Sequence, residues 1–221
     1  MAQGKFIVID GTDGSGKTVQ ANRLIERLRA EGRNSQLQDF PRYGKPSAWF
    51  VEKYLKGDYG SAAEVGPKRA SMFFALDRYD AAPQIREALA QGSVLVSNRY
   101  VSANKGHQTG KIEDPQAQIE FLDWLNDLEY GLMGIPKPDL TLLLHVPADI
   151  GFELSRSRDG ERTDIHQKDI EHLRAAERAY LRLPEIDTAE NWKVVECVED
   201  GKLLPIDAIH ERVWSLVSPL L

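Results

Sequence analysis

Residues Gly11-Thr-Asp-Gly-Ser-Gly-Lys17-Thr18 match the pattern G-x-x-x-x-G-K-[ST], and they directly follow the apolar run Lys5-Phe-Ile-Val-Ile-Asp10. The run predicts a buried strand, and the amphipathic stretch Lys17 to Ala30 predicts a helix. Glycines let such a loop curl until its N–H groups point inward, and the helix N-terminus adds partial positive charge. The stretch therefore predicts a P-loop that binds ATP. The predicted ATP-binding residues are Gly11, Thr12, Asp13, Gly14, Ser15, Gly16, Lys17 and Thr18.

Two side chains of this loop have expected roles in catalysis. Lys17 is expected to contact the β- and γ-phosphates of ATP, and the hydroxyl of Thr18 is expected to ligate magnesium. Mg²⁺ is therefore the expected cofactor, with ATP as co-substrate.

Short apolar runs alternate with amphipathic stretches along the whole chain. Strands are predicted at Lys5–Asp10, Ser93–Ser97, Leu140–Val146 and Trp192–Val198, with a weaker candidate at Gln36–Phe40. Alternating strands and helices predict right-handed βαβ units. The expected fold is α/β: a three-layer P-loop NTPase fold in which helices flank a mostly parallel five-stranded sheet. We expect residues 1–221 to form a single domain.

The composition restricts the possible partners. The chain has 221 residues, a net charge of −6 and a pI near 5.5, which argue against a surface dedicated to nucleic acid or anionic lipid. Its single cysteine, Cys197, cannot form an internal disulfide and lies in an apolar run. Neither a secretory segment nor an apolar stretch of membrane-spanning length is visible, so a cytoplasmic location is expected.

Further motifs decide among P-loop proteins, because the P-loop alone does not separate kinases from GTPases or motors. In chain order they are Asp39-Phe-Pro-Arg42, Phe73-Phe-Ala-Leu-Asp-Arg78, Asn98-Arg-Tyr100 and Pro136-Lys-Pro-Asp139. With the P-loop, these motifs resemble the thymidylate kinase family, and the resemblance reaches at least Tyr180. It implies an ATP-dependent dTMP kinase. It also implies a homodimer formed through helices near Ala63 to Ala90 and Pro115 to Tyr130.

The resemblance also implies roles for individual residues. Phe74 is expected to stack on the acceptor base, and Arg78, on the same helix face, to hold the acceptor phosphate. Arg99 is expected to lie between the donor and acceptor phosphates and neutralise charge during transfer. Asp13 is expected to face the 3′-OH of the acceptor sugar. Arg42 is either a ligand of the acceptor phosphate or a solvent-exposed arginine.

The segment after Arg99 is expected to line the base and sugar pocket. Asn104 and Gln108 carry the paired donor and acceptor groups that a pyrimidine edge requires. His107 stands where the family commonly has tyrosine, so it is either a sugar contact or a surface histidine.

The charged stretch Arg156-Ser-Arg158-Asp-Gly-Glu-Arg162 follows the fourth predicted strand, where the family has its lid over ATP. A lid at about 155–166 is expected to exclude water and to bring Arg158 and Arg162 to the phosphates. Gly14 fills the P-loop position where some family members carry a catalytic arginine, so this charge must come from elsewhere.

Asn98 is the main departure from the family, which has aspartate there as a direct or water-mediated magnesium contact. Asparagine keeps the hydrogen-bonding shape but loses the negative charge. Two alternatives to dTMP phosphorylation remain at this point. One is a kinase of another acceptor such as dUMP, because Asn104, His107 and Gln108 only partly match the usual pocket. The other is a nucleotide-binding protein with little transfer activity, in which Asn98 marks the decay of the metal site. No Asn-Lys-x-Asp element for guanine is found, which disfavours a GTPase.

Overall fold

The computed structural model describes residues 3–159 and 170–221. Its strands are β1 (Lys5–Asp10), β2 (Ser35–Asp39), β3 (Val94–Asn98), β4 (Leu140–His145), β5 (Trp192–Glu196), β6 (Val198–Glu199) and β7 (Lys202–Leu203). Its α-helices are α1 (Lys17–Ala30), α2 (Trp49–Leu55), α3 (Ala62–Val65), α4 (Pro67–Ala90), α5 (Val101–Thr109), α6 (Pro115–Asn126), α7 (Ala148–Asp159), α8 (Ile170–Ile186) and α9 (Ile206–Val217). A π-helical segment, Asp127–Leu132, continues α6.

The main sheet has five strands in the order β2-β3-β1-β4-β5, and every neighbouring pair is parallel. The predicted α/β architecture is confirmed. Because all five strands point the same way, their carboxyl ends meet at one edge, where ligands usually bind such sheets. The loops after β1, β2 and β3 therefore lie side by side there.

Strand β1 is buried on both faces, as its continuous apolar sequence predicts. Ile7 and Ile9 pack in one core cluster with α1 and α9, whereas Phe6 and Val8 pack in a second cluster with α4, α5 and α6. Successive side chains of a strand point to opposite faces, so one short run supports both helical layers.

Helix α1 begins and ends where the sequence predicts. It starts at Lys17, directly after Gly16 of the loop, and ends at Ala30. Beyond Ala30, Gly32 has φ +74°, its N–H donates to Arg29 O, and the N–H of Arg33 donates to Leu28 O. The left-handed conformation of Gly32 lets these two N–H groups bond to carbonyl groups at the end of the helix.

Strands β2, β3 and β4 differ from their predicted bounds by one residue, and β5 differs by two. The strand predicted at Trp192–Val198 ends at Glu196, and Val198 instead pairs antiparallel with Leu203 in the β6–β7 hairpin. Helix α4 has 24 residues and contains Pro83. In the described part of the chain, no helix has both the length and the apolar character to cross a membrane.

Candidate active site

The P-loop joins β1 to α1 and takes its shape from glycines in left-handed backbone conformations. Gly14 and Gly16 both have φ +83°. A Cβ atom on Gly14 would lie 2.0 Å from the carbonyl oxygen of Gly151 in α7, whereas one on Gly16 would meet nothing within 4 Å. The backbones of the loop and α7 are therefore in direct contact at Gly14, which leaves no space there for an arginine side chain.

Lys17 lies against the loop that it follows. Its Nζ donates to the carbonyl oxygens of Gly11 at 3.0 Å and Thr12 at 2.7 Å, and lies 3.9 Å from Oδ1 of Asp13. The side chain is only 7% exposed. The ammonium group is therefore held within the loop, whose N–H groups would surround a phosphate chain.

Asp10 supports the loop from below and was not among the predicted site residues. It is fully buried, and its carboxylate accepts hydrogen bonds from Gly11 N at 2.8 Å, from Tyr180 Oη at 3.1 Å and from Ser102 Oγ. Burial raises the pKa of Asp10, although the charges of Lys17 and Arg99 and the hydrogen bonds from Ser102 and Gly11 oppose the rise. Its carboxylate connects the P-loop to α5 and α8. Because these contacts join segments that are distant in sequence, no local pattern predicts them.

The two predicted metal residues, Thr18 and Asn98, are in contact. Asn98 Nδ2 donates to Thr18 Oγ1 at 3.1 Å, and the buried Asn98 Oδ1 has no hydrogen-bond partner among the described residues. An oxygen without a partner beside a threonine hydroxyl fits a hard cation such as Mg²⁺. Within 3–159 and 170–221, no group of three or more His, Cys, Asp or Glu could hold a metal ion.

Arg99 lies between the P-loop and the neighbouring pocket. It follows β3 with φ +64°, and its backbone N–H donates to Ile9 O at 3.0 Å. A non-glycine residue at positive φ is strained, and such strain is typical of functional sites. The guanidinium is paired with Asp13. Burial alone would lower the pKa of Arg99, but Asp13 and Asp10 raise it above its usual value, so the arginine stays charged.

A pocket of about 650 Å³, counted to its open mouth, begins at Asp13 and Arg99. It brings together predicted residues from the P-loop, α4 and α5. Its lining comprises Asp13, Phe40, Pro41, Tyr43, Leu55, Phe74, Asp77, Arg78, Arg99, Tyr100, Ala103, Asn104, His107 and Gln108.

Arg78 forms a buried bidentate ion pair with Glu129. Its Nε and Nη2 donate to the Glu129 carboxylate at 2.5 and 2.6 Å, and Nη1 donates to Tyr100 O. Asn104 Nδ2 donates to the same carboxylate at 3.2 Å and to Ser71 O at 3.1 Å. Glu129 thus neutralises the charge of Arg78, and Asn104 belongs to the same network. Arg78 also lines the pocket, and its role as a ligand of the acceptor phosphate stays a prediction.

His107 is not a surface histidine. It lines the pocket, its ring lies 5.6 Å from that of Tyr180 at a steep angle, and it stacks on His172 at 5.6 Å. Gly106 permits this packing, since a Cβ there would lie 2.2 Å from the Tyr180 ring.

Gln108, one helical turn beyond Asn104, is held by a residue that the sequence did not single out. Lys111 Nζ donates to Gln108 Oε1 at 2.8 Å and to Tyr54 Oη at 3.0 Å. Gln108 is 2% exposed, and its Nε2 makes no hydrogen bond within the described residues. The free end of the amide that lines the pocket is therefore a donor.

Arg42 is neither in the main pocket nor exposed. Its guanidinium donates to Asp77 Oδ1 at 3.0 Å, to Asp80 Oδ2 at 2.6 Å and to Ser47 Oγ at 2.8 Å, and the side chain is 10% exposed. It lies in an adjacent open cleft that it shares with Asn98 and Arg99. Arg42 therefore fixes the loop after β2 against α4.

The predicted lid falls largely outside the described residues. Position 158 lies near the end of α7, but its side chain is outside the description, as is Arg162 altogether. Arg156 is described, and it is exposed, 3.7 Å from Glu153.

Comparison with known proteins agrees with this geometry. The family model described as Thymidylate kinase matches residues 9–202. The thymidylate kinase of Mycobacterium tuberculosis (strain ATCC 25618 / H37Rv) is 31% identical over 204 residues, which cover 90% of this chain and 94% of that protein. The thymidylate kinase of Homo sapiens is 29% identical over 216 residues, covering 97% and 90%. The solved thymidylate kinase from Candida albicans has a TM-score of 0.76 at 24% identity, covering 100% of this chain and 93% of that chain, and has the same fold. The chain therefore belongs to the thymidylate kinase family.

Proposed function

We propose that this protein transfers the γ-phosphoryl group of ATP to dTMP, giving dTDP and ADP. The observation that supports this most is the continuous pocket that runs from Asp13 and Arg99, beside the P-loop, to the amides of Asn104 and Gln108. A nucleoside monophosphate bound along it would have its phosphate at the P-loop end and its base at the amide end.

The orientation of the two amides favours thymine or uracil over cytosine. Asn104 Nδ2 is used by Ser71 and Glu129, which leaves Oδ1 to accept a hydrogen bond. Gln108 Oε1 is used by Lys111, which leaves Nε2 to donate. Thymine offers N3–H and a neighbouring carbonyl, which match this acceptor and this donor. Cytosine offers a bare N3 and an amino group, which do not.

The transfer step depends more on the neutralisation of negative charge than on a general base. The acceptor monophosphate is already largely dianionic at neutral pH, since its second pKa is about 6. Catalysis then consists of aligning two anionic phosphates and stabilising their charge. Lys17 would bind the donor phosphates, and Arg99 would lie between donor and acceptor. Thr18 and Asn98 would hold Mg²⁺, which would supply further positive charge.

Asp13 and Phe74 complete the acceptor site in this proposal. Asp13 is oriented by Arg99 and would accept a hydrogen bond from the 3′-OH of the sugar. Phe74 lines the pocket on the same face of α4 as Arg78 and would stack on the base. His107 would contact the sugar.

We also propose that residues 1–221 form a single domain with a lid at about 155–166. The contact between Gly14 and Gly151 supports this lid, because no arginine fits at position 14 of the P-loop. Arg158 and Arg162 would supply that charge from the lid and exclude water during transfer.

A homodimer formed through α4 and α6 is part of the same proposal. Met72, Leu76 and Tyr79 are 45%, 41% and 53% exposed, and their spacing places them on one face of α4. A mass measurement by light scattering should give twice the 24.9 kDa chain mass, and Leu76→Asp should shift it towards the monomer. A wild-type monomer at micromolar concentration would refute the dimer.

The function is tested by coupled ADP release with ATP and Mg²⁺, offering dTMP, dUMP, dCMP, dGMP and AMP separately. The proposal expects dTMP to be the best acceptor and Lys17→Ala to abolish the signal. Preference for dUMP would change the substrate but not the reaction, whereas silence with all five acceptors would favour a binding protein without transfer activity.

A further inference from the structure

Lys111 is a mostly buried lysine for which the described residues provide no carboxylate partner. It lies two residues beyond α5, and burial lowers the pKa of its amine to about 8. Lys105, in the middle of α5, differs sharply: its Nζ lies 2.6 Å from Asp187 and 2.7 Å from Glu190. Burying an ammonium without a counter-ion is costly, which sets Lys111 apart from Lys105.

The contacts of Lys111 are directed at the acceptor pocket. Its Nζ donates to Gln108 Oε1 at 2.8 Å and to Tyr54 Oη at 3.0 Å. The ring of Tyr54 in turn meets the ring of Phe74 edge-on, with centroids 6.1 Å apart. Lys111 therefore lies behind two side chains that line the pocket, Gln108 and Phe74.

The hydrogen bond from Lys111 selects one orientation of the Gln108 amide. A glutamine amide can rotate to present either its oxygen or its nitrogen, and the two orientations recognise opposite partners. An ammonium group only donates, so it binds Oε1 and turns Nε2 towards the pocket. If the ammonium were absent, Gln108 could present Oε1 to an amino group on the base.

We propose that Lys111 is a positioning residue that fixes the Gln108 amide as a donor and so sets the preference for a pyrimidine carbonyl over a pyrimidine amino group. This inference rests on the proposed function, since it concerns the base of the same acceptor nucleotide. It adds a determinant that does not itself contact the substrate.

The experiment compares kcat/KM for dTMP and dCMP in the full-length enzyme. Lys111→Met removes the donor, and the dTMP-to-dCMP ratio should fall about tenfold, the value of one hydrogen bond. Lys111→Arg, which also only donates, should keep the ratio near that of the wild type. The control is Lys193→Met, an exposed lysine on β5, which should leave the ratio unchanged.

Two further variants keep the test independent of any folding defect in Lys111→Met. Gln108→Glu has acceptors only at its free end, so it should lose the same preference while Lys111 remains. In a Gln108→Leu background, Lys111→Met should have no further effect on the ratio, since the lysine acts through this amide.

The outcomes separate this inference from the proposed function. A wild-type enzyme that phosphorylates dTMP, with an unchanged ratio in Lys111→Met or equal losses for both acceptors, overturns the inference alone. Additive effects of Lys111→Met and Gln108→Leu overturn it as well. No turnover of dTMP by the wild type overturns the proposed function and this inference together.

Discussion

The donor site and the acceptor pocket are built in different ways. The proposed donor site is one segment, Gly11 to Thr18, whose glycines adopt left-handed conformations and whose backbone N–H groups would surround the phosphates. The acceptor pocket takes side chains from α2, α4, α5 and the loop after β2, and further residues hold those side chains in place. Backbone recognition of phosphate is thus local in sequence, whereas base recognition depends on long-range hydrogen-bond networks.

The largest expected effect is at the donor site. Lys17→Met should lower kcat by about a thousandfold or more, because it removes a charge that stabilises the transferring phosphoryl group. The ADP-release assay measures this, with Lys193→Met as the control. Loss of less than tenfold would mean that backbone groups suffice at the donor site.

In the acceptor pocket the largest effect should be on stability. Arg78→Met leaves the Glu129 carboxylate buried without its partner, which should cost about 3 kcal/mol in the free energy of unfolding. Urea denaturation measures it, and Arg86→Met, an exposed arginine on the same helix, should cost much less. Equal losses in the free energy of unfolding for the two variants would contradict the stabilising role of the Arg78–Glu129 pair.

A comparison of Gly14 and Gly16 in the P-loop distinguishes the effect of backbone strain from that of steric contact. Gly14→Ala and Gly16→Ala both place a Cβ on φ +83°, but only the first meets the Gly151 carbonyl oxygen, at 2.0 Å. Gly14→Ala should therefore be less stable than Gly16→Ala by about 2 kcal/mol in thermal or urea unfolding. Equal free energies of unfolding for the two variants would show that the P-loop and α7 can move apart without a loss of stability.

A smaller effect is expected at the departure from the family, Asn98. Asn98→Asp restores a negative charge beside Thr18 and should strengthen the apparent Mg²⁺ affinity of the ATP complex several-fold. Mg²⁺ titration of ATP binding by calorimetry measures it, and Asn191→Asp at the opposite end of the sheet is the control. An unchanged or weaker Mg²⁺ affinity in Asn98→Asp would contradict a Mg²⁺ site beside residue 98.

The smallest effect concerns His145 at the end of β4, which lies 3.0 Å from Glu177 and 2.6 Å from Glu196. Burial lowers its pKa, but these two carboxylates outweigh burial and raise it. Its stabilisation is therefore full below its unfolded pKa of about 6.5 and is lost as pH rises through the higher folded value.

Urea unfolding of His145→Gln should consequently show a larger loss at pH 6 than at pH 9. His210 provides a control of opposite sign, because burial lowers its pKa and acid then destabilises the fold. A loss from His145→Gln that does not change with pH would contradict the assigned shift.

The sequence predicted the fold of the segment from β1 to α1 well because its signals are contiguous: β1, the P-loop and α1 follow one another without interruption. It also identified the pocket residues Phe74, Asn104, His107 and Gln108, through resemblance to a family. It could not identify Glu129, Lys111, Tyr54 or Asp10 as their supports. The Arg78–Glu129 contact joins positions 51 apart, and such pairings depend on how helices pack.

The most direct test of the shared donor and acceptor site is to follow the label from [γ-³²P]ATP in the presence of dTMP and Mg²⁺. We expect label to appear in dTDP, Lys17→Met to form no labelled dTDP, and dCMP to accept far less label than dTMP. Label found only in inorganic phosphate, or equal transfer to dCMP, would contradict the assignment of the pocket as a site for dTMP.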